Sequence, residues 1–344
     1  MIFSSNRASA LVLTSITIYL LNINNIVFAS VLSDMFNVTN SEYYTELYTI
    51  KAGRDIQLAR SHRERRGRRG KKRSKQSNNG DEGIQVPQKF CTACKTMEGF
   101  VPMSEISDAV RIMVGKSWTV NKSEAVKVQK SRGAIETGLV PDFIEGANCP
   151  EIDSEKWAID YSHKRSGAAI HKGIDIPQPH GTPILAIAAG TVVGKFKNIR
   201  NRKGIEVMIR HSPEQTDLPY WTYSQYTHLS EMSHLSIGQS VKMGEEVGKT
   251  SNSGKMGRRI RRDALHFAIL YSKEPEWSND GYFVTPKDGY WMDPNAFYRS
   301  NAPFDSQSIK LLPMEQKKVP VSYMKIDGSL VPQNTKRIWP YPCD

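Results

Sequence analysis

The second half of this chain is predicted to adopt a mainly β fold, with antiparallel strands arranged as two sheets or as a narrow barrel. From residue 165 onward, short runs rich in β-branched and aromatic residues are separated by Gly and Pro. The runs recur at intervals of about ten residues, which is typical of antiparallel all-β domains. The predicted strands cover residues 184–188, 191–197, 205–210, 220–228 and 265–270.

The first 29 residues are predicted to be a signal peptide for export. Arg7 precedes an apolar run over residues 10–21, and residues 27–29 (VFA) supply small residues where signal peptidase cleaves. Asparagines follow the run at once, so it falls short of the ~20 apolar residues that span a bilayer. We therefore expect a periplasmic or secreted protein, with membrane anchoring through an uncleaved signal as the alternative.

Residues 30–86 are predicted to be a low-complexity basic linker. Residues 51–75 contain twelve Lys or Arg and two acids, which accounts for most of the formal net charge of +12. Such a composition cannot bury a core. The run is either a solvated linker or a segment that adheres to anionic cell-wall polymers or a membrane surface. Nucleic acid is disfavoured, because no aromatic residues interrupt the basic run and the chain is expected to be exported.

The two segments that flank the β-rich region carry weaker signals. Residues 87–148 are predicted to be a small accessory or pro-region, with one helix over residues 104–114 indicated by its apolar spacing. Residues 301–344 are predicted to be a C-terminal tail that wraps the surface. In an oxidising compartment the four cysteines favour two disulfides, but the sequence leaves all three pairings open. A redox motif or half of a zinc site at residues 91–94 (CTAC) is an alternative. The four cysteines are Cys91, Cys94, Cys149 and Cys343.

The first candidate for chemistry is the pair His171 and Asp175. Gly173 and the β-branched residues beside it argue against a helix, which would place both side chains on one face. On a straight strand the pair would lie ~13 Å apart, at ~3.3 Å per residue, too far for one metal ion. The chain must therefore bend between them if they share a ligand, and Gly173 permits that bend.

Two further histidines lie on predicted strands. His228 follows an aromatic-rich strand, and His266 lies within an alternating segment. His266 shares a strand face with Ala264 and Ala268, which leaves room around its imidazole for a ligand. A buried histidine that hydrogen-bonds to the backbone is the ordinary alternative for either residue.

Taken together, these segments resemble the lysostaphin-like (LytM-type) peptidoglycan zinc metalloendopeptidases. The likeness follows one order along about 130 residues. It runs through HKGIDIPQPHGTPILAIAAGTVVG (171–194), GIEVMIRH (204–211), YTHLS (226–230), IGQSVKMGEEVGKTSNSG (237–254) and LHFAI (265–269).

The resemblance implies a duplicated-hybrid-motif type of β domain over residues 149–300 and a specific site. His171, Asp175 and His266 would hold Zn2+, an open ligand set typical of catalytic zinc. His228 would be the catalytic residue that positions water or steadies the tetrahedral intermediate. The implied partner is peptidoglycan, cleaved at peptide cross-links or stem peptides.

The chain departs from that family at Ala264, where a catalytic histidine is usual. An active endopeptidase with a modified site, and a degenerate relative that binds cell wall or regulates another hydrolase, both remain open. A third alternative is a carrier-like protein, because residues 238–248 (GQSVKMGEEVG) look like a biotinyl or lipoyl hairpin. Candidates to replace the lost imidazole are Asp263, His180, His234 and the arginines of residues 258–262. The sequence does not determine which bond is cut or the oligomeric state.

Overall fold

The computed structural model describes residues 91–115, 122–152, 170–198, 202–255 and 262–344. The predicted signal peptide and basic linker lie outside the described residues. The described residues all belong to one unit, which extends from Ile84 to Asp344. Within the described ranges, no helix is long and apolar enough to cross a membrane.

Short strands dominate the described residues, and the predicted mainly β fold is confirmed. The helices are α1 (Asp108–Met113), α2 (Lys122–Ser131), α3 (Pro213–Thr216) and α4 (Ser306–Lys310). The strands are β1 (Val140–Phe143), β2 (Ile174–Pro177), β3 (Pro183–Leu185), β4 (Gly190–Asn198), β5 (Gly204–His211), β6 (Trp221–Thr227), β7 (Ser240–Val241), β8 (Glu246–Lys249), β9 (Ala264–Ser272), β10 (Trp277–Asn279), β11 (Val284–Pro286), β12 (Tyr290–Met292), β13 (Lys318–Val321), β14 (Tyr323–Met324) and β15 (Leu330–Val331).

One antiparallel sheet of seven strands forms the framework. Its order is β12-β9-β6-β5-β4-β7, and β2 pairs with the first half of β9. The longest strands, β4, β5, β6 and β9, lie next to one another at its centre. The remaining strands form two-stranded sheets, of which β1 with β13 is parallel.

Alternation along β9 divides the interior into two cores. Leu265, Phe267 and Ile269 face one core, whereas Ala268 and Leu270 face the other. His266 follows the same alternation and therefore lies on the side of Ala268. We call this side of the sheet the site face.

The described parts of residues 91–134 pack against the site face. Cys94, Val110 and Met113 are buried there against Trp277 and Trp291. The predicted helix over residues 104–114 is shorter in the structure, because a 3-10 turn occupies Met103–Glu105 and α1 begins at Asp108. The Ser107 side chain accepts a hydrogen bond from the Val110 amide and caps that helix.

The C-terminal tail enters the other core instead of only wrapping the surface. Trp339 and Tyr341 have no exposed surface and pack in the core that contains Phe267. The disulfides are Cys91–Cys94 and Cys149–Cys343, which selects one of the three open pairings. The second disulfide joins the tail to the start of the predicted peptidase domain. The division of the chain into segments 87–148, 149–300 and 301–344 stays a prediction.

His211 gives the fold a testable dependence on pH. Its Nδ1 lies 2.7 Å from the Ala189 carbonyl oxygen and its Nε2 lies 2.8 Å from the Ser224 hydroxyl. Burial lowers the pKa of His211 from 6.5 to about 4. The unfolded chain therefore binds a proton that the folded chain excludes, so stability is lost as the pH falls from 6.5 towards 4. At about 1.4 kcal/mol per pKa unit, the loss reaches roughly 3 kcal/mol.

Urea denaturation of wild type and His211→Gln at pH 7 and pH 4.5 measures this effect. We expect the wild type to lose ~2–3 kcal/mol more stability on acidification than the variant. The variant is the reference because the other groups, including Asp293 with its raised pKa, titrate in both proteins. An equal acid-dependent loss in the two proteins would contradict the assignment to His211.

Candidate metal centre

Strands β2 and β9 bring the three predicted ligand residues into one cluster. His266 Nδ1 lies 2.7 Å from Asp175 Oδ1 and 2.9 Å from His171 Nε2. His171 Nε2 lies 3.3 Å from Asp175 Oδ1. These three form the group with metal-ligand spacing among the described residues. Asp175 is only 1% exposed, so its carboxylate depends on the two imidazoles.

The local chain path explains how residues four positions apart meet. Asp175 lies directly opposite His266 in the register of β2 and β9, so their side chains share the site face. Before β2 the chain turns at Gly173 and passes very close to β9. A Cβ atom at Gly173 would lie 2.4 Å from the Phe267 carbonyl oxygen and 3.0 Å from His266 Cε1. The position therefore requires glycine for close approach.

The donor set fits a zinc ion. Two imidazole nitrogens and one carboxylate oxygen match the open sites of catalytic zinc, with a fourth position left for water or substrate. Ligands about 2.0–2.1 Å from zinc in a tetrahedral arrangement lie roughly 3.3 Å apart. The observed separations are 2.7–3.3 Å, so the shortest needs to widen by about 0.6 Å.

The electrostatics also favour a cation. Burial would by itself raise the pKa of Asp175, but the charge of His171 and hydrogen bonds with His171 and His266 hold it well below its usual range. Asp175 therefore stays ionised at neutral pH. A buried carboxylate of this kind is stable only with positive or hydrogen-bonding partners around it.

His228 lies beside the cluster in an unusual backbone conformation. Its φ angle is +70°, which is uncommon for a residue with a side chain. Its ring centroid is 5.8 Å from that of His266. His228 Nδ1 lies 2.9 Å from the Lys203 carbonyl oxygen and 3.1 Å from that of Ser253. Carbonyl oxygens only accept, so Nδ1 carries a proton.

Two serines that the sequence analysis did not identify support this orientation. The Ser251 hydroxyl donates to the His228 carbonyl oxygen at 2.6 Å and accepts from the Ser253 amide at 3.0 Å. The Ser253 hydroxyl accepts from the Ile205 amide at 3.0 Å. Gly204 lies so close that a Cβ atom there would be 2.3 Å from the Ser253 hydroxyl. The loop that contains Ser251 and Ser253, together with the start of β5, therefore holds His228 in this orientation.

Ala264, at the position where the family usually has a catalytic histidine, is buried at the start of β9. Ala264 is 1% exposed, and its amide donates to the Ser251 carbonyl oxygen. His180 and His234 are exposed and do not join the cluster of possible metal ligands in the described ranges. Arg262 is exposed, and residues 258–261 lie outside the described part of the chain.

A pair of lysines next to the cluster was also not identified from the sequence. Burial and the neighbouring charge of Lys203 lower the pKa of Lys172 to about 7. Burial likewise lowers the pKa of Lys203, against the opposing effect of Glu206 and Asp280. The pKa shifts of both lysines arise from contacts between distant parts of the chain, so no local sequence motif predicts them.

Comparison with known proteins identifies the domain that carries this site. Residues 169–277 match the sequence model of Peptidase family M23. The "Uncharacterized lipoprotein YgeR" of Escherichia coli (strain K12) is 28% identical over 176 residues, which are 48% of this chain and 62% of that protein. An "Uncharacterized metalloprotease" of Haemophilus influenzae is 40% identical over 84 residues, 24% of this chain and 16% of that protein.

Two solved structures have local similarity to this chain. The catalytic domain of lysostaphin from Staphylococcus simulans is 23% identical, with 32% of this chain and 74% of that chain covered and a TM-score of 0.26. A mutant catalytic domain of the prophage-encoded M23 protein EnpA from Enterococcus faecalis is 29% identical, with 33% and 77% covered and a TM-score of 0.26. This chain spans less than two thirds of the length of the two relatives named above.

Proposed function

We propose that the protein is a zinc-dependent endopeptidase that cleaves peptide cross-links or stem peptides of bacterial peptidoglycan. The observation that carries the proposal is the buried cluster of His171, Asp175 and His266 within an M23 peptidase domain. Zinc held by these residues would supply the Lewis acidity that activates water and polarises a peptide carbonyl. Asp175 also reduces the positive charge of the site and holds His266 in place through a 2.7 Å contact.

His228 is the residue proposed to handle protons or negative charge during the reaction. Because its Nδ1 proton is held by two backbone carbonyls, Nε2 is the atom that can accept a proton from attacking water. Once protonated, the same atom can donate a hydrogen bond to the developing oxyanion. With alanine at position 264, His228 would carry both tasks.

Replacing His228 by alanine is expected to preserve zinc content and to lower the hydrolysis rate by about 10²–10³-fold. His228 is not one of the three proposed ligands, and its Nδ1 contacts two backbone carbonyl oxygens, so the metal should stay bound. Zinc stoichiometry and initial rates of peptide release measure the two effects separately. His180→Ala is the matched control, since His180 is exposed. An unchanged rate in His228→Ala would show that the role is assigned to the wrong residue.

A second candidate function is favoured by Ala264. The domain would then be a catalytically degenerate relative that holds zinc, binds the cell wall and regulates another hydrolase. Loss of one transition-state donor typically costs about 10²–10³ in rate and does not remove all activity. Zinc content therefore does not discriminate between the two candidates, whereas turnover does.

Digestion of purified peptidoglycan by the mature chain, with and without a zinc chelator, tests the proposal. The C-terminal tail must be included because it fills one of the cores. Mass analysis of soluble products should show chelator-sensitive release of cross-link or stem peptides. A folded, zinc-loaded protein that releases nothing would refute the enzyme proposal and favour the binding protein.

The proposed location is the cell envelope, in the periplasm or outside the cell. The name of the Escherichia coli relative, which describes a lipoprotein, supports an envelope location. We further propose that residues 51–75 attach the protein to anionic cell-wall polymers or to a membrane surface. Replacing half of these basic residues by Gln should weaken sedimentation with cell walls at low salt. Unchanged sedimentation would refute attachment through this segment.

A further inference from the structure

A pocket of about 620 Å³ lies at the edge of the sheet and borders the core that contains Phe267. Leu139 and Ile174 belong both to the wall of this pocket and to that core. The next residue of β2, Asp175, lies opposite His266 on the site face. Because successive side chains of a strand point to opposite faces, β2 separates the pocket from the metal cluster.

Four acids line this pocket, which we call the acidic pocket: Glu136, Asp142, Glu151 and Asp293. The first three are exposed at its mouth, whereas Asp293 is 2% exposed and lies at its inner end. The described residues that line the pocket include no Lys or Arg, and none of the four acids has an ion-pair partner within the described ranges. Lys317 lies beside Gly138 at the mouth, but its Nζ donates to the Lys310 carbonyl oxygen at 3.1 Å. The acidic pocket therefore attracts cations.

Two buried acceptors at the inner end have unused hydrogen-bonding capacity. Asn295 is 3% exposed, and its Oδ1 atom has no hydrogen-bond partner. The Asp293 carboxylate accepts from the Thr137 hydroxyl and, at 2.9 Å, from the Asn295 amide, which uses two of its roughly four acceptor positions. Burial raises the pKa of Asp293 to about 6, so the carboxylate is still ionised at pH 7.5. A ligand that donates several hydrogen bonds would satisfy these acceptors.

Apolar side chains flank the acids and leave part of their surface exposed. All four residues of β1 line the acidic pocket, and Val140 among them is 53% exposed. Phe143 and Ile152 are half-buried in the same wall. Among the described strands, β1 pairs with β13 alone, so its second edge is available to an extended peptide. The aliphatic stem of a long side chain would cover the exposed apolar surface.

The spacing of the acids disfavours a metal ion as the ligand. Within the described ranges, the group of side chains with metal-ligand spacing is the cluster on the site face, and the acids of the acidic pocket form no second group of this kind. An alkylammonium group needs no such cage, because its three N–H groups donate to separate acceptors while its stem packs on apolar surface. The combination of spaced acceptors and apolar surface therefore favours an organic cation.

We propose that the acidic pocket binds the side chain of a lysine-like residue of a peptide. The ammonium group donates to the Asp293 carboxylate and to Asn295 Oδ1, and the aliphatic stem packs on Val140 and Phe143. The three acids at the mouth attract the cation and exclude anionic side chains. The proposal goes beyond the peptidase function and does not need an active zinc centre, because β2 separates the pocket from the metal cluster.

Titration of the mature chain with matched peptides tests the charge and the stem separately. The first peptide is N-acetyl-Gly-Lys-Gly-amide. The second carries Nε-acetyl-lysine, which keeps the stem and removes the charge. The third carries 2,4-diaminobutyrate, which keeps the charge and shortens the stem by two methylene groups. We expect the lysine peptide to bind about tenfold or more tightly than either of the others.

Methyl NMR at pH 7.5 and constant ionic strength gives a readout for each site. The methyl signals of Val140, Ile152 and Ile174 report on the acidic pocket. The signal of Ala268 reports on the site face. The lysine peptide should shift the three pocket signals and leave that of Ala268 unchanged.

Variants assign the preference to residues. The triple variant Glu136→Gln, Asp142→Asn, Glu151→Gln changes only exposed side chains, so it should keep the fold and the zinc content. Its preference for lysine over Nε-acetyl-lysine should fall by about tenfold. Asp293→Asn, which preserves the shape of the buried side chain, should lower the preference as well. Glu315→Gln is the matched control at an exposed acid outside the pocket, and it should retain the preference.

Each outcome decides the question. Equal binding of the lysine and Nε-acetyl-lysine peptides would overturn the proposal, as would shifts confined to Ala268. A lysine preference that survives both in the triple variant and in Asp293→Asn would also overturn it. Displacement of the peptide by equimolar Mg²⁺ at constant ionic strength would replace the organic cation with a metal ion. Binding that depends on charge and stem and persists in the chelator-treated chain would support the pocket whether or not the protein is a peptidase.

Discussion

Replacing His266 by alanine is expected to abolish zinc binding and hydrolysis together. His266 is one of three groups in the cluster, and it contacts both of the others, at 2.7 Å and 2.9 Å. Loss of an outer partner of a metal ligand typically costs 10–100-fold in affinity, so loss of a ligand itself should cost more than ~100-fold. The buried carboxylate of Asp175 would also lose its shortest partner, which should lower stability.

Zinc stoichiometry after gel filtration, measured by elemental analysis, tests this prediction directly. Circular dichroism of the same sample shows whether the loss of zinc reflects the ligand or the fold. His234→Ala provides the control, because His234 is an exposed histidine outside the cluster. A folded His266→Ala chain that still carries one zinc per molecule would exclude His266 as a ligand.

The central strands could be predicted because successive side chains along each strand alternate between two buried faces of the sheet. The segment predicted as residues 265–270 is β9, observed as Ala264–Ser272, and residues 220–228 correspond to β6, observed as Trp221–Thr227. The strands of two to four residues after β9 were not predicted. Segments that short have no measurable period, and their pairing with distant segments determines them.

The metal cluster was predictable for a different reason. A histidine and an aspartate separated by a glycine, with a histidine between alanines on a strand, retain a recognisable pattern in the sequence. The groups that surround the metal cluster do not have a recognisable pattern in the sequence. The partners of His228 are backbone carbonyls of Lys203 and Ser253, which become neighbours only when the loop before β5 meets the loop before β9.

The disulfide pairing likewise depends on the folded path of the chain. Cys149 and Cys343 are separated by 194 residues, and their Cα atoms lie 4.5 Å apart. No spacing rule selects that pair over the other combinations. The same long-range path brings the tail into the core, where sequence composition alone indicated a surface segment.

Ending the chain at residue 300 is expected to abolish folding, although the family match ends at residue 277. The tail supplies eight side chains of the core that are at most 2% exposed, namely Ile309, Val319, Val321, Tyr323, Ile338, Trp339, Tyr341 and Cys343. Burial of a large apolar side chain stabilises by about 1.5–3 kcal/mol. Their sum is comparable with the whole stability of a typical domain, roughly 5–15 kcal/mol. The backbone contributes too, because the Leu185 amide donates to the Pro340 carbonyl oxygen and the Ile338 amide to that of Ile187.

Comparison with a chain that keeps the tail but lacks the disulfide separates packing from the covalent link. The Cys149→Ser, Cys343→Ser double variant should fold with stability reduced by about 2–5 kcal/mol, whereas the truncated chain should be insoluble or unfolded by circular dichroism. A folded, zinc-binding fragment of residues 150–300 would show that the core around Phe267 is complete without the tail. Failure of both proteins to fold would place the essential contribution in the disulfide. The predicted result, folding of the double variant alone, means that packing of the tail makes residues 301–344 part of the domain that holds the metal cluster.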